Sequence, residues 1–332
     1  MTTATETAAQ RPSYEATLFR LAQADERLLV LTAENRAAIR KMPELLGPRF
    51  IDFGIAEQTM VGAAAGLALR GRVPVVHALA TFLTLRAFEF IRTDVGIAGL
   101  PVKLVGGVPG FLSEANGPTH QAIEDISLMR GIPGMQIVCP TDEEELCAAL
   151  PVIIASPRPC YIRYVGGPAM VTHNAPFELG RAEKLAEGKH VTLLSYGLLV
   201  PEVLAAAQLL ASRGVSARVL NLRSLAPIDQ EALLAAARET SAIFTIEDHF
   251  ATGGLYSITA ELFVRHGVAA PVVPIALEGR WFRPALLADV LRVEGFTARQ
   301  LQTRIERTLV TLGLLPSGAA GPDDSRKGEH VV

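Results

Sequence analysis

The chain repeats one pattern: a short run of consecutive apolar residues, then a longer stretch whose apolar positions recur every three or four. The runs are Arg27–Ala33, Val73–Ala80, Pro101–Gly107, Met135–Pro140 and Cys160–Val165, and, after a break, His190–Gly197, Ser216–Leu222, Ser241–Asp248 and Pro271–Leu277. Val, Ile and Leu fill successive rather than alternate positions, which predicts parallel strands covered on both faces. The stretches between them predict helices. Leu18, Leu21 and Ala22 share a face. The segment DEEELCAALPVIIAS, from Asp142, opens on acids that suit the positive end of a helix dipole. The segment VPEVLAAAQLLASRG, from Val200, closes on Gly214, a natural C-terminal cap. Strand and helix in alternation predict an α/β protein of doubly wound, mainly parallel sheets.

The alternation lapses once, between Gly166 and Gly188, where glycines and prolines replace sustained periodicity. This predicts two doubly wound domains, at 14–168 and 186–315, with a linker at 169–185. The polar ends, 1–13 and 316–332, read as disordered tails, and the first has no apolar core of the kind a secretory signal needs.

A length of 332 residues suits two domains, and 49% hydrophobic against 20% charged residues supplies a sizeable core. A formal net charge of −3 argues against a nucleic-acid binder, which needs a basic face. Cys139, Cys147 and Cys160 form neither a disulfide framework nor a metal-ligand spacing, and fit a reducing compartment. No run approaches the roughly 18–20 apolar residues that cross a bilayer. The expectation is a soluble, cytoplasmic protein.

Neither G-x-G-x-x-G, a phosphate-loop G-K-[ST], H-E-x-x-H nor G-x-S-x-G is present, so the usual hydrolase, kinase and dehydrogenase readings lose their main support. Three stretches stand out instead. Glu57 opens a helix whose Gly62–Gly66 segment is all small residues. It is either a first-turn carboxylate facing the helix dipole, or a carboxylate carried inside by close packing and needing a partner such as a nitrogen heterocycle. Phe82, Leu85 and Phe88 are spaced to share a helical face, as core or as a wall for a flat ring. Gly117 and Pro118 form a turn presenting Thr119 and His120, the histidine either solvated or poised to move a proton near neutral pH. His249 and Trp281 suit core or interface roles.

Glu57 within GIAEQ, the ATFL stretch and GPTHQAIED occur in that order, followed by TIEDHFATGG (Thr245–Gly254). Together they resemble the thiamine-diphosphate enzymes of the transketolase family. The resemblance covers nearly the whole chain but only the last two of that family's three domains, the pyrimidine-binding and C-terminal ones. It implies that Glu57 hydrogen-bonds the cofactor's aminopyrimidine ring and thereby activates the thiazolium carbon. It also implies that Phe82, Leu85 and Phe88 wall the ring, although full-length transketolases usually carry an aromatic at the Leu85 position. By the same resemblance His120 contacts substrate hydroxyls and oxyanion, Arg163 a substrate phosphate, and Glu34 lies near the cofactor. Asn116 stands where an acidic residue reads an acceptor hydroxyl, and Val108 where a histidine contacts phosphate.

The family's G-D-G, which with a downstream Asn holds Mg²⁺ and the diphosphate, occurs nowhere in the chain. Mg²⁺ ligands are therefore expected on a partner and none on this chain. The resemblance thus implies the second subunit of a split transketolase, joined to a diphosphate-binding N-terminal subunit in an α₂β₂ heterotetramer. Its activity would move a two-carbon ketol unit from a ketose-type donor to an aldehyde-type acceptor. With Asn116 and Val108 uncharged, a less polar or unphosphorylated acceptor is expected. The alternatives are a β subunit of a 2-oxo-acid dehydrogenase, a deoxyxylulose-phosphate-synthase-like enzyme, or a catalytically silent scaffold.

Overall fold

The structure, a computed structural model, describes residues 13–316. The expected tails lie outside these residues except for Ser13, which caps the first helix, and Pro316. Every predicted apolar run forms a strand. In the first half these are β1 (Leu28–Thr32), β3 (Val73–Leu79), β4 (Lys103–Gly107), β5 (Gln136–Val138) and β6 (Cys160–Tyr164), with an additional short β2 (Phe50–Asp52). In the second half they are β8 (Val191–Ser195), β9 (Ala217–Asn221), β11 (Ala242–Phe250) and β12 (Val272–Leu277), with the additional β7 (Glu183–Ala186) and β10 (Ser224–Ala226). The added strands are three or four residues long, too short to show as apolar runs.

Two mainly parallel sheets with flanking helices result. One has the order β10-β5-β6-β4-β3-β1-β2 and the other β12-β11-β8-β9-β7. In each, one edge strand runs against the rest: β10 pairs antiparallel with β5, and β7 with β9. Strand β10 comes from the second half of the chain, so that half closes an edge of the first sheet and protects its unpaired backbone groups. Strands β1 and β8 are buried at every position, as helices on both faces require.

Ionic contacts lock the two sheets together. Arg163 on β6 donates from Nε to Asp125 at 2.9 Å and from Nη1 to Asp248 on β11 at 2.7 Å, with all three groups buried. The Phe250 amide donates to the Ile123 carbonyl at 2.9 Å. The segment between the sheets is strapped down by His173, whose Nδ1 lies 2.8 Å from Glu183 and whose Nε2 lies 3.3 Å from Asp142. Among the described residues no helix is long and apolar enough to cross a membrane.

Candidate active site

In open parallel sheets, functional groups gather outside the carboxyl ends of the strands. Here Glu34 follows β1, Glu57 follows β2, Phe82 follows β3, and Val108 with the His120 loop follows β4. Glu57 is the first residue of the Glu57–Leu69 helix, reached through a turn at Gly54, which takes φ +63° and donates its amide to Asp52 at 2.9 Å. Ala64, Ala65 and Ala68 bury against the core and let the helix sit close, so Glu57 is only 2% exposed.

A buried carboxylate needs a partner. Arg86 supplies it, with Nη1 2.9 Å from Glu57 Oε2. The same guanidinium lies over the Phe82 ring at 4.3 Å from its centroid. Phe82 in turn meets the His120 ring edge-on, with centroids 5.1 Å apart, and Thr119 Oγ1 lies 2.9 Å from His120 Nδ1. Carboxylate, planar cation, aromatic face and imidazole are therefore contiguous. Arg86 was not among the residues singled out from sequence; its one visible signal is its place four residues after Phe82, on the same turn.

Phe82–Arg86 and Ile91–Gly96 wind as π-helix around a short α-turn at Phe88–Phe90. This corrects the expected common face of Phe82, Leu85 and Phe88. The wider i→i+5 winding leaves Phe82 and Phe88 half-buried while Leu85 turns outward, 44% exposed. Such segments recur at functional sites because they re-aim side chains.

The other predicted residues fall into place less uniformly. Glu34 is exposed in the left-handed region, φ +61°, and its amide donates to Asp52 at 3.3 Å. Asp52 also holds Arg36. Asn116 is exposed at the end of the 3₁₀ segment Gly110–Asn116. Val108 takes φ +51°, a strained conformation for a β-branched residue and one that tends to persist at functional sites.

Arg163 differs from its expected role at a substrate phosphate. It is buried, with Nε and Nη1 committed to Asp125 and Asp248, and Nη2 buried without a hydrogen-bond partner. Burial alone would lower its pKa, but the two carboxylates outweigh that and hold it well above the ordinary arginine value. Tyr161 donates to the same Asp125 oxygen at 2.6 Å. Asp125 and Asp248 lie within the motifs GPTHQAIED and TIEDHFATGG, yet neither shows its partner in the sequence, because pairings between residues 38 and 85 positions apart have no local signature.

Glu145, His173 and Glu183 bring ligand-type atoms within 4.8 Å of one another, the spacing a metal ion would need. Both nitrogens of His173 are already engaged by carboxylates. Burial pulls the imidazole pKa down, but hydrogen bonds to Asp142 and Glu183 overcome this and raise it to about 10. Held at both nitrogens by carboxylates, the imidazole straps down the segment between the sheets.

The family profile for the transketolase pyrimidine binding domain matches residues 6–165, and that for the transketolase C-terminal domain matches residues 180–301. A 6-deoxy-6-sulfo-D-fructose transketolase subunit, SqwH, of Clostridium sp. (strain MSTE9) is 40% identical over 298 residues, 88% of this chain and 91% of the relative. A 1-deoxy-D-xylulose-5-phosphate synthase of Thermomicrobium roseum is 35% identical over 311 residues, 91% of this chain but 49% of the relative. A solved split-gene transketolase, described as an inactive beta4 tetramer, superimposes with TM-score 0.81 at 34% identity, covering 90% of this chain and 97% of that one.

Proposed function

Because the chain belongs to the transketolase family, we propose that it is the pyrimidine-binding subunit of a split, thiamine-diphosphate-dependent transketolase. The transfer assigned to it is a two-carbon ketol unit from a ketose-type donor to an aldehyde-type acceptor. The observation that carries this reading is the planar N–H group sandwiched between buried Glu57 and the Phe82 face. That group is the Arg86 guanidinium, a flat, delocalised donor of the kind an aminopyrimidine also presents. Arg86 is 40% exposed and can turn into solvent, so the residues fit the ring without rearranging the core.

The cofactor, when bound, supplies the carbon nucleophile for cleaving and forming carbon–carbon bonds beside a carbonyl. Glu57 then holds a proton at the ring nitrogen, and its burial strengthens that hydrogen bond. Phe82 and Phe88 exclude water from one side of the ring, with Leu85 exposed beside them and Glu34 at the strand end nearby. His120, held by Thr119 and Phe82, moves or shares a proton at a substrate hydroxyl or oxyanion, with Asn116 on the same loop reading the acceptor. Mg²⁺ and the diphosphate belong to the N-terminal partner, in an α₂β₂ heterotetramer of the cytoplasm.

Two relatives support the split reading. SqwH is described as a subunit and matches this chain over nearly its full length, whereas the synthase is about twice as long. The split-gene transketolase described as an inactive beta4 tetramer is consistent with a lone β chain that cannot turn over. Titrating thiamine diphosphate with Mg²⁺ into the purified chain and into its complex with the partner tests the proposal. Tight binding is expected of the complex alone, and loss of it in a Glu57→Ala complex. Equal binding by the lone chain would contradict the reading.

A further inference from the structure

A cavity of about 330 Å³ shares no residue with the proposed ketol chemistry; Glu144, Glu145, His173, Phe177 and Arg223 help to line it. Three parts of the chain meet there: the start of the Glu143–Ala155 helix, the segment carrying His173, and the residues just after β9. Glu183, on β7, stands beside them. His173 Nδ1 lies 3.8 Å from Glu145 Oε1 and 2.8 Å from Glu183 Oε2. Among the described residues this is the one group of three His, Cys, Asp or Glu side chains whose ligand atoms are close enough to share an ion.

Each of these groups is oriented from behind. Asp142 holds His173 Nε2 at 3.3 Å, which turns Nδ1 toward the two glutamates. Glu145 accepts the Thr141 amide at 2.7 Å and Asn221 Nδ2 at 3.1 Å, and Glu183 accepts the Asn174 amide at 2.6 Å through Oε1. A carboxylate behind the far nitrogen of an imidazole is the usual outer shell of a bound metal. Two further oxygens, Thr141 Oγ1 and Asn221 Oδ1, are buried without a hydrogen-bond partner among the described residues, and both belong to residues that touch Glu145. Charge points the same way. Asp142, Glu145 and Glu183 face one guanidinium, Arg223, whose Nε lies 3.6 Å from Glu145. A protonated His173 cancels one of the two remaining negative charges; a divalent cation beside a neutral imidazole cancels both.

We infer that Glu145, His173 and Glu183 bind a divalent transition-metal cation of the Zn²⁺ type. One imidazole nitrogen with two carboxylate oxygens suits such an ion, whereas Mg²⁺ and Ca²⁺ favour shells made wholly of oxygen. In the metal-free chain a proton between Nδ1 and Glu183 takes that place. Binding releases this proton as the Nδ1–metal bond forms, and the Nε2–H bond to Asp142 stays. The ion joins the Glu143–Ala155 helix to β7 of the second sheet through the segment between them. It is a staple between the two halves of the chain, independent of ketol transfer.

The test titrates Zn²⁺ into the full chain after removal of metal by a chelator, followed by calorimetry and by Tm. One equivalent should bind and raise Tm. Glu183→Gln and His173→Gln should each weaken binding at least about 100-fold, and Asp142→Asn about 10–100-fold, the scale of an outer-shell partner. His266→Gln, at an exposed histidine of the second half, should change nothing. Circular dichroism shows whether each variant folds. Where one does not, X-ray absorption of the Zn²⁺-loaded wild type decides: a shell of one imidazole with carboxylate oxygens upholds the site, and a shell with sulfur or several imidazoles overturns it. Absence of one-to-one binding, or binding unchanged in folded Glu183→Gln and His173→Gln chains, also overturns it.

Discussion

Glu57 shows how one residue's burial defines a site. A carboxylate at 2% exposure cannot stand alone, and here it meets a half-exposed arginine rather than a second buried group. The partner best able to leave is the one in contact with solvent. Under the proposed function, Arg86 is an occupant that a flat heterocycle displaces. In Arg86→Ala the complex should bind thiamine diphosphate at least as tightly as the wild type. The cofactor-free chain should lose about 1 kcal/mol of stability, because Glu57 is left buried without its donor. Cofactor titration and denaturant unfolding check the two halves. Loss of cofactor binding would instead make Arg86 a contact of the cofactor.

At the scale of elements, the long parallel strands were legible from sequence because covering both faces makes their apolar runs continuous. Three strands were not. Strand β2 is three residues between a 3₁₀ turn and a bend, β7 carries Glu183 and Lys184, and β10 is defined by its pairing with a distant strand. The Phe82–Phe88 stripe was visible as apolar spacing, but its π winding was not, since propensity and periodicity assume the α repeat. The strap around His173 was equally hidden, because its carboxylates lie on separate elements.

The strap has a pH signature. His173 is raised to about 10 in the folded chain, against about 6.5 when unfolded. The folded state therefore binds the proton more tightly, and the stability this contributes is fully present below pH about 6.5. It declines as pH rises and is gone above about 10. In His173→Gln, unfolding free energy should vary less between pH 7 and 10 than in the wild type, and the variant should be the weaker at pH 7. Parallel stability curves over that range would show that the imidazolium contributes nothing.

For the whole molecule, Arg163 is the joint. Its guanidinium links β6 of one sheet to Asp248 on β11 of the other and to Asp125 beneath the His120 loop. Replacing it with Met removes the cation and leaves two carboxylates buried. That should cost about 3–5 kcal/mol, read by denaturant unfolding. The alternative expectation, a phosphate contact, predicts near-normal stability with a raised KM for phosphorylated substrates. The measurement separates the two directly, and the burial of all three groups favours the joint.

The proposed function requires that this chain carry half of a thiamine-diphosphate site, with Glu57 as its activating group. The most direct measurement is ketol transfer by the chain alone, by the chain with a G-D-G-bearing partner, and by that complex carrying Glu57→Gln, all with thiamine diphosphate and Mg²⁺. No turnover is expected from the chain alone, and turnover from the complex. Loss of at least about 10²-fold is expected in the Glu57→Gln complex, whose fold is retained. Turnover by the lone chain, or an undiminished rate without the Glu57 carboxylate, would contradict it.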